Sequence, residues 1–252
     1  MDNFVHIIEE IVDFFNLKSF VGFGVGAGAN IMLRYALKHQ DNVDALILIN
    51  CVINSAGWHE WIYQKSNILL LRHFGMSEAT IDYFNWWHFG SPHHKRNPHE
   101  VTRYQEYLRK EAHPKSLAAF LESYMNRTPI EIITKHENEN HAFRIPVLHM
   151  VGSHSAFMHE AIRINKLLEQ QNTIELMEFT DCGGNFLIEK ANKVFEAILL
   201  FLQGAGFFAW LNVHDVVKRV QEEENEMILR NEETKDSASN DKPLEKEDVF
   251  AD

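Results

Sequence analysis

The 252-residue chain has few cysteines, no excess of positive charge and no long apolar run. Each shortage closes off a class of function. Cys51 and Cys182 are the only cysteines and neither belongs to a C-x-x-C pair. That excludes a disulfide scaffold and a thiolate-held zinc, and it fits a reducing compartment. The longest unbroken apolar stretch, Ala197 to Leu202, is far short of the ~20 residues that cross a bilayer. Asp2, Glu9, Glu10 and Asp13 interrupt any signal-peptide core near the start. A formal charge of −12 argues against nucleic acid as a partner, because phosphate contacts need clustered Lys and Arg. The expectation is a soluble cytoplasmic protein without a transmembrane segment, with peripheral membrane contact left open.

The acidity is concentrated. Residues 221–252 hold twelve Asp and Glu against four Lys and Arg, and so carry 8 of the 12 net negative charges. This stretch lacks the apolar period that builds a core, and it reads as a disordered acidic tail.

Ahead of it, four β-rich runs alternate with helical patterns: Ser19 to Phe23, Ala45 to Ile49, Val147 to Val151 and Ile174 to Phe179. Continuous runs such as Ala45-Leu46-Ile47-Leu48-Ile49 suit strands buried on both faces, so a doubly wound parallel α/β sheet is expected. Between Asn50 and Pro146 the pattern is helical instead, chiefly over Trp58 to Phe74, Ser77 to Phe89 and Pro98 to His113. Asn97-Pro98-His99-Glu100 is a helix-start signal. A helical insertion between two core strands reads as a cap. The expected organisation is a core α/β part over 1–50, a cap over 51–145, a second core part over 146–206, a terminal helix over 207–220 and the tail over 221–252.

The most specific motif is the glycine-dense turn Gly22-Phe23-Gly24-Val25-Gly26-Ala27-Gly28-Ala29 between a strand and a helix. As a dinucleotide-binding turn it matches poorly: the third glycine position is Ala27, and the next strand ends in Asn50 where an acid is wanted. As a nucleophile elbow, G-x-S-x-G, the frame Gly24 to Gly28 fits, but the nucleophile position is Gly26. In that fold the acid follows the third strand seen here and the His follows the fourth. Val151 to Ser155 contains no carboxylate and Thr180 to Asn185 contains no His. The vestigial triad positions are therefore Gly26, Ser153 and Gly184, with Gly22, Gly24, Gly26 and Gly28 shaping an elbow without its chemistry.

These residues carry a family resemblance. Gly22 to Ala29, Ile31 to Leu37, Leu46 to Asn50, Gly57-Trp58, Ser123-Tyr124, Asn126-Arg127, Pro146 to Leu148, Asp181 to Gly184 and Phe201 to Gly204 resemble the N-myc downstream-regulated (NDRG) family, over Met1 to about Gly206. The resemblance implies an α/β-hydrolase-like fold with a helical cap, no hydrolase activity, a mainly cytoplasmic location and a role in stress response, differentiation and growth signalling through unidentified protein partners. It also implies strands upstream of Met1, so an N-terminally truncated sheet is expected, from a fragment, a short isoform or an incomplete gene model. Relatives often end in basic phosphorylatable repeats; this acidic tail differs.

Other readings compete. An unorthodox hydrolase could use Cys182 or Ser155, and a nucleotide-dependent oxidoreductase is a third class. His88, His93, His94 and His99 cluster without metal-ligand spacing, so neither metal nor cofactor is expected. Trp58, Trp61, Trp86 and Trp87 are candidates for a cap pocket.

Overall fold

The computed structural model describes residues 1–90, 97–132, 142–169, 174–223 and 226. Helix α1 (Asp2–Phe14) leads into strand β1 (Phe20–Val25), helix α2 (Ala27–Lys38) and strand β2 (Val43–Ile49). Four helices follow: α3 (Trp58–His73), α4 (Glu78–Phe89), α5 (Pro98–Lys110) and α6 (Pro114–Met125). The chain then returns through β3 (Val147–Gly152), α7 (Met158–Glu169), β4 (Ile174–Phe179), the short α8 (Phe186–Glu189) and α9 (Ala191–Gly204).

The four strands form one parallel sheet in the order β1-β2-β3-β4. Strand β2 shows why Ala45 to Ile49 is an unbroken apolar run. Leu46 and Leu48 enter one core, shared with Leu33 of α2 and Ile164 of α7. Ala45, Ile47 and Ile49 enter the opposite core, shared with Val194 and Phe201 of α9. From Ala45 onward the side chains alternate between two covered faces, which leaves no place for a polar one, whereas Asp44 at the strand's start is exposed. Strand β1 lies at the sheet's edge, and its Phe23 and Val25 are about half exposed.

The cap has a core of its own, built from Ile68, Leu71, Ile81, Phe84, Leu108 and Leu121. Its helices start on local signals. Ser77 caps α4 by accepting from the Thr80 N–H at 3.3 Å, and Asn97 caps α5 by accepting from the His99 N–H at 3.1 Å, with Pro98 in the first position.

Two boundaries differ from the sequence reading. Helix α6 is a separate element begun by Pro114, beyond the Pro98 to His113 segment that ends the helical pattern in the sequence. The final helix, α10, covers 213–223, whereas 205–210 is turn with Phe208 at φ 52°. It therefore runs past 220, and most of the acidic tail lies outside the described residues. No helix among the described residues is long and apolar enough to cross a membrane.

Candidate functional site

The glycine turn forms a one-residue corner. Gly26, the residue between β1 and α2, adopts φ 56° and ψ −113°, a conformation costly for any residue with a Cβ. Its N–H donates to the Ile49 carbonyl at 2.8 Å and its carbonyl accepts from the Asn30 N–H at 3.2 Å. Gly24 allows α2 to start so close to β1: a Cβ there would lie 2.6 Å from the backbone of Gly28 and Ala29. Nothing lies within 4 Å of a Cβ at Gly26 or Gly28. Both glycines face a cavity of about 360 Å³, whose other walls include Asn50, His88, Tyr124 and Asn185.

Gly26, Ser153 and Gly184 are the residues that the sequence pattern assigns to the three triad positions. The Ser153 N–H donates to the Phe179 carbonyl at 2.9 Å, and its Oγ accepts from the Asp181 N–H at 3.1 Å, so it braces two loops. At Gly184 a Cβ would lie 3.1 Å from the His88 carbonyl oxygen and 3.3 Å from that of Trp87. A Cβ at Gly183 would meet the Phe89 backbone at 2.4 Å, and one at Gly152 would meet the Gly183 oxygen at 1.9 Å. The end of α4 thus lies on the loop after β4, at a distance only glycine permits.

Asn50 joins these parts, a role that reading the sequence missed. It is buried at φ 51° at the end of β2. Its Nδ2 donates to the Gly184 carbonyl at 2.7 Å, and its Oδ1 accepts from Ser155 Oγ at 3.4 Å. Asparagine directly after a buried strand was the available signal, since it tolerates the left-handed region that strands avoid.

Neither alternative nucleophile is activated. Burial pushes the Cys182 thiol up to about 11, with Glu189 adding to the shift, and Sγ donates to the Phe179 carbonyl at 3.1 Å. A thiol raised in this way is not a thiolate at neutral pH. Cys51 is fully buried and is pushed up to about 12. Ser155 Oγ accepts from the Phe157 N–H at 3.2 Å and reaches Asn50 rather than an imidazole.

A second, larger cavity of about 830 Å³ opens beside the first. Trp87 and Phe157 line both, packed edge to face at 4.8 Å, and divide one from the other. Of the four candidate tryptophans, Trp86 and Trp87 line this larger cavity. Trp58 and Trp61 instead stack on each other at 5.6 Å on the exposed side of α3. Arg127 anchors the cavity's floor with its side chain fully buried. Its Nε donates to the Asn54 carbonyl at 2.8 Å, Nη1 to that of Tyr124 at 3.1 Å and Nη2 to Glu60 Oε2 at 2.9 Å. The guanidinium also sits 4.2 Å over the Tyr124 ring.

The His88 ring packs on Tyr104, and His93 and His94 lie outside the described residues. Among the described residues no three His, Cys, Asp or Glu side chains are grouped to hold a metal.

Comparison with known proteins agrees with this geometry. Among solved structures, MenH from S. aureus superposes with a TM-score of 0.64 at 18% identity, over 81% of this chain and 76% of that one. MGS-M2, an alpha/beta hydrolase enzyme from a deep-sea metagenome library, gives a TM-score of 0.60 at 15% identity, over 79% and 70%. The fold is therefore α/β-hydrolase-like, with α3 to α6 as its cap. In sequence, the chain is 27% identical to Protein NDRG2 of Danio rerio over 209 residues, 83% of this chain and 53% of the relative. It is 29% identical to Protein NDRG1-B of Xenopus laevis over 208 residues, 82% and 50%. The chain spans about half the length of these relatives. The model of the Ndr family matches residues 1–209, and the chain belongs to that family.

Proposed function

We propose that this chain is a non-catalytic member of the Ndr family that acts in the cytoplasm through protein partners, in signalling linked to stress response or to growth and differentiation. The observation that carries the non-catalytic reading is the set Gly26, Ser153 and Gly184, with the α4 backbone laid against the third. Loss of a nucleophile and its base together costs roughly a millionfold in turnover. Buried, unactivated Cys182 and Ser155 weigh against the unorthodox hydrolase. Asn50, standing where a ribose-binding acid is wanted, weighs against the nucleotide-dependent oxidoreductase.

Exposed apolar side chains support action through partners: Phe14 and Phe15 at the end of α1, and Trp58 and Tyr63 on α3. Phe14 pairs with Phe15 and Trp58 with Trp61, and exposed apolar side chains that adjoin one another favour interaction sites. The test has two arms. Ester hydrolysis and labelling by a fluorophosphonate or a thiol-directed probe are expected to stay at buffer background. Robust turnover abolished by Cys182→Ala or Ser155→Ala would reverse the reading. In cells, the set of proteins captured by proximity labelling is expected to shrink with a Phe14→Glu/Phe15→Glu double variant or with Trp58→Glu. An unchanged set in both would remove the argument for partners on these faces.

A further inference from the structure

We propose that the larger cavity binds a small organic anion, a single carboxylate carried on an apolar body. Its volume of about 830 Å³ falls in the range of small-molecule sites. Much of its wall is carbon, from Val52, Trp86, Trp87, Ala156 and Phe157. Trp87 meets Phe157 edge to face at 4.8 Å and stacks on Tyr83 at 5.8 Å. These rings brace one another, so the wall stands before a ligand arrives. An apolar body needs only that carbon surface withdrawn from water, whichever edge or face of a ring it meets.

The head group follows from which charges in the lining are still open. Four charged side chains line the cavity: Glu60, Glu160, Arg127 and Arg163. Three of them are engaged. Arg127 is fully buried, and its Nη2 donates to Glu60 Oε2 at 2.9 Å, so that pair cancels its own charge. The other Glu60 oxygen is itself buried, out of a ligand's reach. Both oxygens of Glu160 accept from Asn54 Nδ2 at 2.6 Å. Glu160 stands three residues before Arg163 on α7, a spacing at which an acid and a base on one helix can pair. Asn54 holds it elsewhere, and Arg163 is exposed without an ion-pair or hydrogen-bond partner among the described residues. The one open charge of the lining is therefore a guanidinium, whose planar fork matches a carboxylate. A carboxylate at Arg163 leaves its apolar body to lie along the carbon wall. An amine finds no open acid there, and a neutral head leaves Arg163 to water.

Isothermal calorimetry on the full chain tests this with 4-phenylbutyrate, and with 4-phenyl-1-butanol and 4-phenylbutylamine as its neutral and cationic isosteres. The expected result is saturable binding of one 4-phenylbutyrate per chain, tighter than either isostere by about fivefold. Arg163→Gln, at an exposed position, is expected to lower 4-phenylbutyrate to the affinity of 4-phenyl-1-butanol and to leave the alcohol unchanged. Arg163→Glu is expected to reverse the order, with the amine tighter than the acid. Ala156→Trp, which fills the cavity from an exposed position of its wall, is expected to weaken acid and alcohol alike by about tenfold or more. If Ala156→Trp does not fold, Trp86→Ala at a half-exposed position replaces it, with a loss of about threefold expected for both. Failure of 4-phenylbutyrate to bind saturably overturns the proposal. So does equal affinity for 4-phenyl-1-butanol, wild-type affinity for 4-phenylbutyrate in Arg163→Gln, an unreversed order in Arg163→Glu, or wild-type affinity in the cavity variant.

Discussion

On one side of the seam between cap and sheet, backbone touches backbone; on the other, aromatic rings stand off across open space. The tight side is built by Gly90, Gly152, Gly183 and Gly184, where the end of α4 rests on the loops after β3 and β4. The open side is held apart by Arg127, whose four contacts tie α3, α6 and the segment leaving β2 together. The tight side carries Ser153 and Gly184, the residues that the sequence pattern assigns to an acid and a base, and the open side carries neither. The difference teaches that in this chain the cap closes on the loops after β3 and β4 and leaves open space over Gly26 and beside Arg127.

The tight side should break most severely. Gly152→Ala places a Cβ 1.9 Å from the Gly183 oxygen and 2.8 Å from the Cys182 oxygen, both backbone atoms that cannot swing aside. A loss of about 4 kcal/mol or more is expected, read as a lowered midpoint in urea or a failure to fold. If Gly152→Ala melts like the wild type, the close approach of these loops is wrong.

The open side should break next. Arg127→Ala leaves the Glu60 carboxylate without its cation and removes the ring contact to Tyr124. Breaking a buried pair from one side costs about 3–5 kcal/mol. Because the contacts tie cap helices to the β2 exit, hydrogen exchange should rise in α3 and α6 before it rises in the sheet. Uniform loss of protection would mean that the seam and the sheet unfold as one unit.

How much of this was legible follows the same division. The unbroken run Ala45 to Ile49 exposed the buried strand because local pattern alone sets a two-faced position. The glycine spacing exposed the corner at Gly26 because backbone geometry there depends on neighbours in sequence. Helix α6 also had its signals, Pro114 at the start and Leu117, Ala118, Leu121 and Met125 stepping by three and four, yet it lay hidden behind the stronger Asn97-Pro98 start. Arg127 was illegible as a linchpin, and Asn50 signalled only its left-handed turn and not its partner, since Asn54, Glu60 and Gly184 reach them only through the fold. Which tryptophans line a cavity was equally hidden. Helix α3 carries apolar residues around most of its circumference, Trp58, Trp61, Ile62 and Ile68 among them, so no face declares itself.

His149 sharpens the comparison through pH. It is fully buried in β3, and its Nε2 accepts from the Cys51 N–H at 3.3 Å, where the chain leaves β2 for the open side. Burial lowers it from 6.5 to about 4. The unfolded chain therefore binds the proton first as the pH falls. Stability is complete above about pH 6.5 and is lost towards pH 4, by up to about 3 kcal/mol. Urea midpoints across that range check it. His149→Gln should flatten part of the slope, while His88, also lowered to about 4 by burial, maintains the rest. An unaltered slope in His149→Gln would assign the effect to other groups.

The smallest expected effect comes from returning a hydroxyl to the corner. Gly26→Ser meets no atom within 4 Å of its Cβ, so its cost is that of holding an L-residue at φ 56° and ψ −113°, about 2 kcal/mol. The hydroxyl would share its cavity with one imidazole, that of His88. That ring packs edge-on to Tyr104 and is lowered to about 4 by burial, well below the range in which a base takes a proton efficiently at neutral pH. Ser153 and Gly184 offer it no carboxylate and no second base. Gly26→Ser is therefore expected to leave ester turnover and fluorophosphonate labelling at wild-type background. Labelling of the Gly26→Ser variant at its new hydroxyl, lost when His88→Ala is added, would show that the tight side retains a usable base. The contrast between the two sides of the seam would then be one of missing nucleophile alone.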